Sequence, residues 1–329
     1  MTTKFYKEGK RGLVCLLCRH YCDIKENQVG FCKVNKNING RVENLVYGRV
    51  SALNLDPIEK KPLYHFMPSS VSLSLGTVGC NFRCPFCQNY SISQSSDIDN
   101  SSLISPSEVV GLAVKYHAKS ISYTYNEPTI FYPYLRDIAI LAKEEGIKNV
   151  MVSNGFESVE VLEDMKSLID AVNVDLKSFK DEYYKKVLKG GLDGVLDTLK
   201  RLKESGIWLE VTTLVIPTKN DSEEEIKKIA SFIANDLGND TPWHISAFHP
   251  DFKERELPRT GFESLKRAYD IGKEEGLKYI YMGNIGVENP TFCDCGEILI
   301  KRVGFEVVYN VLNGNKCPNC AKELEGVFI

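Results

Sequence analysis

Between residues 71 and 282, short β-rich runs alternate with stretches of helical periodicity, and this order limits the fold more than any other feature of the chain. Repeated βα units of this kind are typical of a parallel sheet. The predicted strands are 71–76, 120–125, 149–153, 171–176, 208–215, 243–248 and 278–282. The predicted helices are 106–117, 130–145, 158–167, 194–205, 222–235 and 262–275. Ser222 and Glu225 have the spacing of a capping box at the start of one helix.

Polar residues follow nearly every predicted strand, among them Glu127, Asn154, Lys177 and His249. In a barrel the C-terminal ends of the strands converge on the active site. The sequence therefore predicts an α/β fold with a partial (β/α) TIM-like barrel of six to seven strands. The predicted domains are an N-terminal four-cysteine lobe (1–70), the barrel (71–284) and a C-terminal lobe (285–329).

Charge and hydropathy exclude several classes of partner. The 41 Lys and Arg against 44 Asp and Glu give a net charge of −3, so no overall positive field attracts nucleic acid or an anionic membrane. No uncharged apolar run approaches the roughly 20 residues of a membrane-spanning helix. The first residues are polar and basic with no apolar stretch behind them, which argues against a secretory signal. We expect a cytoplasmic protein.

Eleven cysteines fall into three groups along the chain. Four lie within residues 15–32, three within 80–87 and four within 293–320, and residues 88–292 contain none. A reducing cytoplasm disfavours structural disulfides, so closely spaced cysteines indicate metal sites. The two outer groups each have the four ligands of a closed site, whereas the central group is one ligand short.

The central group is a C-x₃-C-x₂-C run directly after the first predicted strand: Cys80, Cys84 and Cys87. Three thiolates leave one position open on a tetrahedral zinc ion or on a four-iron cluster. An open position is what a catalytic metal needs. Spacing alone leaves both metals as alternatives.

This loop, at the start of a βα series, resembles the signature of the radical S-adenosylmethionine (SAM) superfamily. The resemblance implies a [4Fe–4S] cluster on Cys80, Cys84 and Cys87, with the amino and carboxylate groups of SAM on the fourth iron. One electron then cleaves SAM to methionine and a 5′-deoxyadenosyl radical, and the electron comes from a donor of the ferredoxin or flavodoxin type. Phe86, the aromatic residue before the third cysteine, is implied to lie near adenine.

Further segments resemble the glycyl-radical activase branch of that superfamily. Tyr125-Asn126-Glu127-Pro128 resembles its Gly-Gly-Glu-Pro segment, which receives the methionyl ammonium, although both glycines are replaced. Ser153-Asn154-Gly155 resembles a Thr-Asn-Gly turn, Asp175-Leu176-Lys177 matches Asp-Leu-Lys, and Ile216 to Asp221 resembles a Val-Pro-Gly-x-x-Asp turn with Thr218 in place of glycine. The residues implied to bind SAM are Phe86, Asn126, Glu127, Ser153, Asn154, Asp175, Lys177 and His249. Lys177 and His249 are also the candidates for a catalytic role.

Structural roles for these residues stay open. Asp175 and Lys177 could form an ion pair inside the barrel, where charged residues need partners. Glu127 could be only the N-terminal carboxylate of a helix, because Pro128 follows. His249 could be an ordinary loop histidine. His20, which lies between two cysteines, is an alternative metal ligand.

The whole chain is similar to the AmmeMemoRadiSam system radical SAM enzymes. This resemblance is carried by residues 56–66, residues 122–129 and the two terminal cysteine groups. It implies an association with Memo and AMMECR family proteins, and it supplies no substrate.

The terminal cysteine groups are predicted to bind metal. Two short knuckles separated by a β-rich stretch resemble a zinc ribbon, and their ligands are Cys293, Cys295, Cys317 and Cys320. The N-terminal set has the spacing C-x₂-C-x₃-C-x₉-C, which suits zinc or a second iron–sulfur cluster: Cys15, Cys18, Cys22 and Cys32.

The leading hypothesis is a radical SAM enzyme that abstracts hydrogen from an unidentified substrate, with a protein as one candidate. The alternatives are a zinc-ribbon interaction or nucleic-acid-binding protein with a non-catalytic barrel, and a zinc hydrolase built on the central cysteines. Nucleic acid is the less favoured partner, because the charge around the C-terminal cysteines is mixed.

Overall fold

The computed structural model describes residues 1–328. The strands before the barrel are β1 (Tyr6–Glu8), β2 (Leu13–Cys15), β3 (Asp23–Ile24), β4 (Asn35–Ile38), β5 (Arg41–Asn44), β6 (Arg49–Val50) and β7 (Ala52–Pro57). The first half of the barrel contains β8 (Val71–Gly76), α1 (Tyr90–Ser93), β9 (Ser102–Leu103), α2 (Pro106–Lys115), β10 (Ser120–Tyr123), α3 (Tyr132–Glu144), β11 (Lys148–Ser153) and α4 (Val159–Met165).

The second half of the barrel contains β12 (Ala171–Asp175), α5 (Asp181–Tyr183), α6 (Leu192–Ser205), β13 (Trp208–Val215), α7 (Glu223–Phe232), β14 (Trp243–Ala247), α8 (Phe262–Glu274) and β15 (Ile280–Gly283). The C-terminal strands are β16 (Thr291–Phe292), β17 (Ile298–Val303) and β18 (Glu306–Asn310). Short 3₁₀ helices span Ile58–Lys60 and Pro128–Phe131, and π-helical turns span Tyr184–Leu188 and Ile233–Gly238.

Eight strands form the central sheet in the order β15-β14-β13-β12-β11-β10-β8-β7. The seven strands from β15 to β8 are parallel, and within residues 1–328 no pairing joins β15 to β7, so the barrel is open. β10 and β14 are buried along their whole length, as expected for a parallel sheet covered by helices. The predicted α/β fold with a mostly parallel sheet is confirmed.

Two details of the prediction are corrected. The sheet begins at Ala52, not at residue 71, because β7 pairs antiparallel with β8. β7 is an edge strand with a single buried residue, Asp56, so its sequence lacks the continuous apolar run of the inner strands. The predicted capping box is also wrong: Ser222 is the N-cap of α7 but makes no side-chain cap bond, and the Glu225 carboxylate accepts a hydrogen bond from the amide of Phe179 at 3.0 Å.

The segment 58–70, between β7 and β8, packs against β13 and β15. The amides of Tyr64 and His65 donate to the buried carboxylate of Glu210 on β13, at 2.9 and 2.8 Å. The Nε2 atom of His65 lies 2.6 Å from the hydroxyl of Tyr281 on β15. Beyond its short 3₁₀ helix, this segment is thus fixed by buried hydrogen bonds, which are costly to leave unmade.

The C-terminal strands are attached to the same segment by one buried arginine. Arg302 of β17 is fully buried, donates to the carbonyl oxygen of Tyr64 at 2.6 Å and to Thr291 Oγ1 at 2.9 Å, and lies 3.9 Å from the carboxylate of Glu59. Its guanidinium carbon lies 4.3 Å from the centre of the Tyr64 ring. No helix of residues 1–328 has the length and apolar character needed to cross a bilayer.

Candidate active site

A cavity of about 290 Å³ lies where the parallel strands of the central sheet end. The loops that follow β8, β10, β11 and β12 supply much of its wall, as the convergence of strand ends requires. The sequence-predicted residues that line it are Cys80, Cys84, Phe86, Cys87, Asn126, Glu127, Ser153, Asn154, Asp175 and Lys177.

The cysteine loop after β8 is held on two sides. Gly79, just before Cys80, has a φ of +90°, and a Cβ atom there would lie 2.8 Å from the carbonyl oxygen of Cys32. Glycine suits both the backbone conformation and this close approach. On the other side, Asn126 Nδ2 donates to the carbonyl oxygen of Gly79 at 2.9 Å, and Asn126 Oδ1 accepts from the Thr77 amide at 3.1 Å.

Arg83 fixes the loop from within. Its guanidinium donates to the carbonyl oxygens of Cys80 and Phe82, at 2.7 and 2.9 Å, and lies over the ring of Phe31 at 4.1 Å. The guanidinium is charged at every physiological pH, so these two carbonyl oxygens always have a donor. The thiols therefore project from a loop whose backbone is largely fixed.

The central thiols are spaced too widely for one metal ion. Zinc–thiolate bonds of about 2.3 Å place the sulfurs of a tetrahedral site about 3.8 Å apart. Among residues 1–328, only the C-terminal four cysteines have ligand atoms that all lie within 4.8 Å of one another. The spacing of Cys80, Cys84 and Cys87 thus favours a cluster in which each thiolate binds its own iron.

Tyr125 stands where the resembled motif has glycine, and its backbone conformation is one that glycine favours. Its φ is +71°, in the left-handed region that non-glycine residues rarely enter. The side chain is held in place, because its hydroxyl donates to Asp56 Oδ2 at 2.8 Å and accepts from Asn54 Nδ2 at 3.0 Å. The Lys61 ammonium also lies 5.1 Å from the centre of its ring. These contacts oppose the backbone strain and hold the turn in this conformation.

Glu127 connects the loops after β10 and β11. Its carboxylate accepts four hydrogen bonds: from the Thr129 amide at 3.0 Å, Thr129 Oγ1 at 2.6 Å, Ser153 Oγ at 3.0 Å and the Asn154 amide at 2.9 Å. It is also the N-cap of the 3₁₀ helix Pro128–Phe131, so the structural role that the sequence allowed is present. The same residue lines the cavity.

Ser153 lies between two buried carboxylates, and the second, Glu157, was not among the predicted residues. The Ser153 hydroxyl contacts both Glu127 and Glu157 but has a single hydrogen to donate. Burial and the charge of Glu127 raise the pKa of Glu157 to about 7. Below this pH the Glu157 carboxyl carries a proton that it can donate to Ser153, which in turn donates to Glu127.

Asp175 and Lys177 form the ion pair considered from the sequence. Lys177 Nζ lies 2.8 Å from Asp175 Oδ2, and both residues line the cavity. Burial alone lowers the pKa of Lys177, but the Asp175 carboxylate and the Cys84 sulfur outweigh burial and raise it above the ordinary value. Lys177 therefore stays cationic at the cavity wall, 14% exposed.

His249 is not brought into the cavity. It is partly exposed, and its Nε2 atom lies 3.4 Å from the carbonyl oxygen of Asn284. His244 and Ser246 of β14 line the cavity in its place, because side chains alternate along a strand and these two face inward. That alternation was visible in the sequence, whereas the contribution of Tyr64 from segment 58–70 was not.

The two terminal cysteine groups differ in geometry. In the C-terminal group, Cys293 and Cys320 have sulfurs 3.6 Å apart and Cys295 and Cys317 have sulfurs 3.8 Å apart, which fits a metal ion. The N-terminal four cysteines line one small enclosed cavity. His20 is not part of that cavity wall, and its Nε2 atom donates to the Asn81 carbonyl oxygen at 2.8 Å.

We predict that Glu157→Gln makes the protein more stable at high pH. The pKa of Glu157 is about 7 in the folded protein and 4.5 in the unfolded chain, so the folded state holds this proton more tightly. Stability from this group is complete below pH 4.5 and is lost as the pH rises through 7. The free energy of unfolding of the variant minus that of the wild type should rise by roughly 2 to 3 kcal/mol between pH 5 and pH 8.

Urea unfolding at a series of pH values measures this difference. Glu163→Gln is the matched control, because Glu163 is a surface residue paired only with Lys166. A difference between Glu157→Gln and wild type that does not change with pH would show that Glu157 is ionised throughout.

Comparison with known proteins agrees with this geometry. The chain is 42% identical over 320 residues to an uncharacterized protein of Methanocaldococcus jannaschii, covering 95% of each chain. It is 26% identical over 209 residues to a pyruvate formate-lyase-activating enzyme of Clostridium pasteurianum, covering 60% of this chain and 87% of that one.

The fold also matches a solved structure. A radical SAM methyltransferase from Sphaerobacter thermophilus superimposes with a TM-score of 0.52 at 15% identity, covering 67% of this chain and 68% of that one. Residues 74–233 match the model of the radical SAM superfamily, and this range contains the three central cysteines and most of the cavity wall. The chain therefore contains a radical SAM domain.

Proposed function

We propose that this radical SAM enzyme holds a [4Fe–4S] cluster on Cys80, Cys84 and Cys87 and abstracts hydrogen from a protein substrate. The observation that carries the first part is the spacing of three thiols at the mouth of one cavity, too wide for a single ion. When bound, the cluster supplies the electron that cleaves SAM to methionine and a 5′-deoxyadenosyl radical.

The residues that line the cavity position SAM for its cleavage. Lys177, held by Asp175, offers a cation to the methionyl carboxylate or the ribose hydroxyls. Phe86 is 4% exposed and offers an apolar ring for the adenine. Glu127 and Asn126 hold the loops after β8, β10 and β11 in fixed relation, so the sulfonium of SAM is aligned before the electron arrives.

We predict that Cys84→Ala abolishes both the cluster and SAM cleavage, because Cys84 is a buried ligand that no neighbouring group replaces. After anaerobic reconstitution, the wild type treated with dithionite and SAM should form 5′-deoxyadenosine, and the variant should form none above background. The readouts are bound iron attributable to the central site, visible absorbance and the nucleoside product.

Cys320→Ala is the matched control, since it removes a thiol from the C-terminal group. We propose that this group binds zinc, because its sulfur spacing fits a tetrahedral ion. The variant should lose about one zinc per chain and melt at a lower temperature while keeping its iron and its product. A wild-type protein that binds only zinc and forms no 5′-deoxyadenosine would contradict the proposal.

We predict that Lys177→Met weakens SAM binding without removing the cluster. A charge-assisted hydrogen bond contributes roughly 1.5 to 3 kcal/mol, so the KM for SAM should rise about ten- to a hundredfold. Bound iron should not change. Lys185→Met, on an exposed residue away from the cavity, is the control and should leave the KM as it is. An unchanged KM in Lys177→Met would remove Lys177 from the SAM site.

The protein substrate is supported by two observations. One relative is named for activating another enzyme, pyruvate formate-lyase. In addition, the cavity extends to Phe305, which is 45% exposed and leads from the cavity wall to the protein surface. Such a rim suits a polypeptide segment that enters from outside. A protein of this kind belongs in the cytoplasm, where thiols stay reduced.

Deuterium transfer tests the class of substrate. The radical breaks a substrate C–H bond and forms a C–H bond at its own C5′, so a deuterated substrate yields deuterated 5′-deoxyadenosine. Cells of the source organism grown in deuterated medium supply separate macromolecular and small-molecule fractions. We expect mass spectrometry to find deuterium in the nucleoside only with the macromolecular fraction, and protease treatment should remove it. Transfer from the small-molecule fraction alone would overturn the protein substrate.

A further inference from the structure

The four N-terminal cysteines surround one enclosed, apolar cavity. Its wall contains all four together with Leu17, Gly30, Phe31, Asn35 and Ile130. Cys15, Cys18 and Cys32 are buried and Cys22 is partly exposed. No disulfide joins them within the described chain, and closely spaced cysteines that are not paired in disulfides are typical of metal sites. The arrangement therefore indicates a metal site.

The spacing of these sulfurs identifies the kind of metal site. Across residues 1–328, no three of the four N-terminal ligand atoms lie within 4.8 Å of one another, whereas all four C-terminal ones do. A single zinc ion needs sulfurs about 3.8 Å apart. A cubane cluster separates its four thiolates, because each binds a different iron. The sulfur spacing of the N-terminal group therefore fits a cluster, whereas that of the C-terminal group fits a single ion.

Two N–H donors near the sulfurs also suit a cluster. Asn35 Nδ2 lies 3.4 Å from Cys32 Sγ, and the amide of Phe31 donates toward Cys22 Sγ at 3.4 Å. Hydrogen bonds to sulfur stabilise the negative charge of a thiolate-bound cluster and tune its potential. Both donors belong to residues in the wall of the cavity.

The N-terminal site is in direct contact with the active-site loop. The carbonyl oxygen of Cys32 would lie 2.8 Å from a Cβ on Gly79, the residue before Cys80. Phe31, which lines the N-terminal cavity, packs under the guanidinium of Arg83, and that guanidinium donates to the Cys80 carbonyl oxygen. The two cysteine groups are therefore neighbours through a single layer of residues.

A second contact joins the N-terminal site to the turn after β11. Cys18 forms a backbone bridge with Glu157, and the amide of Arg19 donates to the carbonyl oxygen of Phe156 at 3.1 Å. These partners follow directly on Ser153 and Asn154, which line the SAM cavity. The N-terminal cysteines thus face the same end of the barrel as the central three.

We propose that Cys15, Cys18, Cys22 and Cys32 hold a second [4Fe–4S] cluster that passes electrons to the central one. With four cysteine ligands this cluster has no iron free for SAM. A donor of the ferredoxin or flavodoxin class gives up one electron, the outer cluster goes from the 2+ to the 1+ state, and it returns to 2+ as the central cluster is reduced. No bond to the protein changes. The relay role rests on the proposed function, whereas the proposed cluster site does not depend on it.

A variant without the central ligands tests the site alone. The triple variant Cys80→Ala, Cys84→Ala and Cys87→Ala should still bind about four iron per chain after anaerobic reconstitution. Its reduced cluster should give an electron paramagnetic resonance signal that added SAM does not change. The control carries Cys18→Ser and Cys22→Ser in addition and should lose this iron, with circular dichroism confirming that both proteins are folded.

Two results would overturn the second cluster. One is a folded triple variant that binds zinc at the N-terminal group and no iron. The other is about two iron per chain, which would mean a different cluster. Because this protein cannot cleave SAM, the outcome is independent of whether the proposed hydrogen abstraction is correct.

The relay requires the two clusters to be close. In the reduced wild type their unpaired spins should couple, so the resonance signal should be broader than the sum of the signals from the triple variant and from Cys18→Ser/Cys22→Ser. The latter keeps the central cysteines and should still bind about four iron. A wild-type spectrum equal to that sum would contradict the relay even if both clusters are present.

Discussion

The buried carboxylate of Glu127 is the interaction on which the rest of the site depends. Its four hydrogen bonds fix the loop after β10 to the loop after β11, and the neighbouring Asn126 fixes the loop after β8. Three consecutive strand ends are therefore held by two adjacent side chains. A carboxylate removed from water requires such donors, since burial otherwise disfavours its charge. The need to satisfy one buried group thus also sets the positions of the cavity-lining residues.

The sequence predicts the fold well where periodicity is strong. Strand 208–215 coincides with β13, and its helix and strand neighbours differ by only a few residues at their ends. The edge strand β7 was missed, because an exposed strand has no apolar pattern to reveal it. The capping box was misassigned because Glu225 is used by Phe179, and a contact 46 residues away leaves no local trace.

In the candidate site, too, the residues marked by a local sequence pattern were predicted and those defined by distant contacts were not. Residues that follow strand ends, such as Glu127, Asn154 and Lys177, were predicted to converge and do line one cavity. His249 also follows a strand yet stays at the rim, because the chain after β14 carries it outside the cavity wall. Glu157 was missed, because only the folded structure places it beside Ser153 and, through Ser153, near the buried carboxylate of Glu127. Tyr125 and Thr218 stand where the resembled motifs have glycine and have left-handed backbones, with φ of +71° and +66°, so these turns form here without glycine.

Arg302 places the C-terminal strands in an unexpected relation to the timing of synthesis. The arginine supports the Tyr64 carbonyl from below, and both Tyr64 and Phe305 form part of the cavity wall. Every barrel strand leaves the ribosome before Arg302 and Phe305 do. A nascent chain can therefore display all three central cysteines while one side of its cavity is still missing. The wall of the cavity is thus complete only after the turn between β17 and β18 has been synthesised.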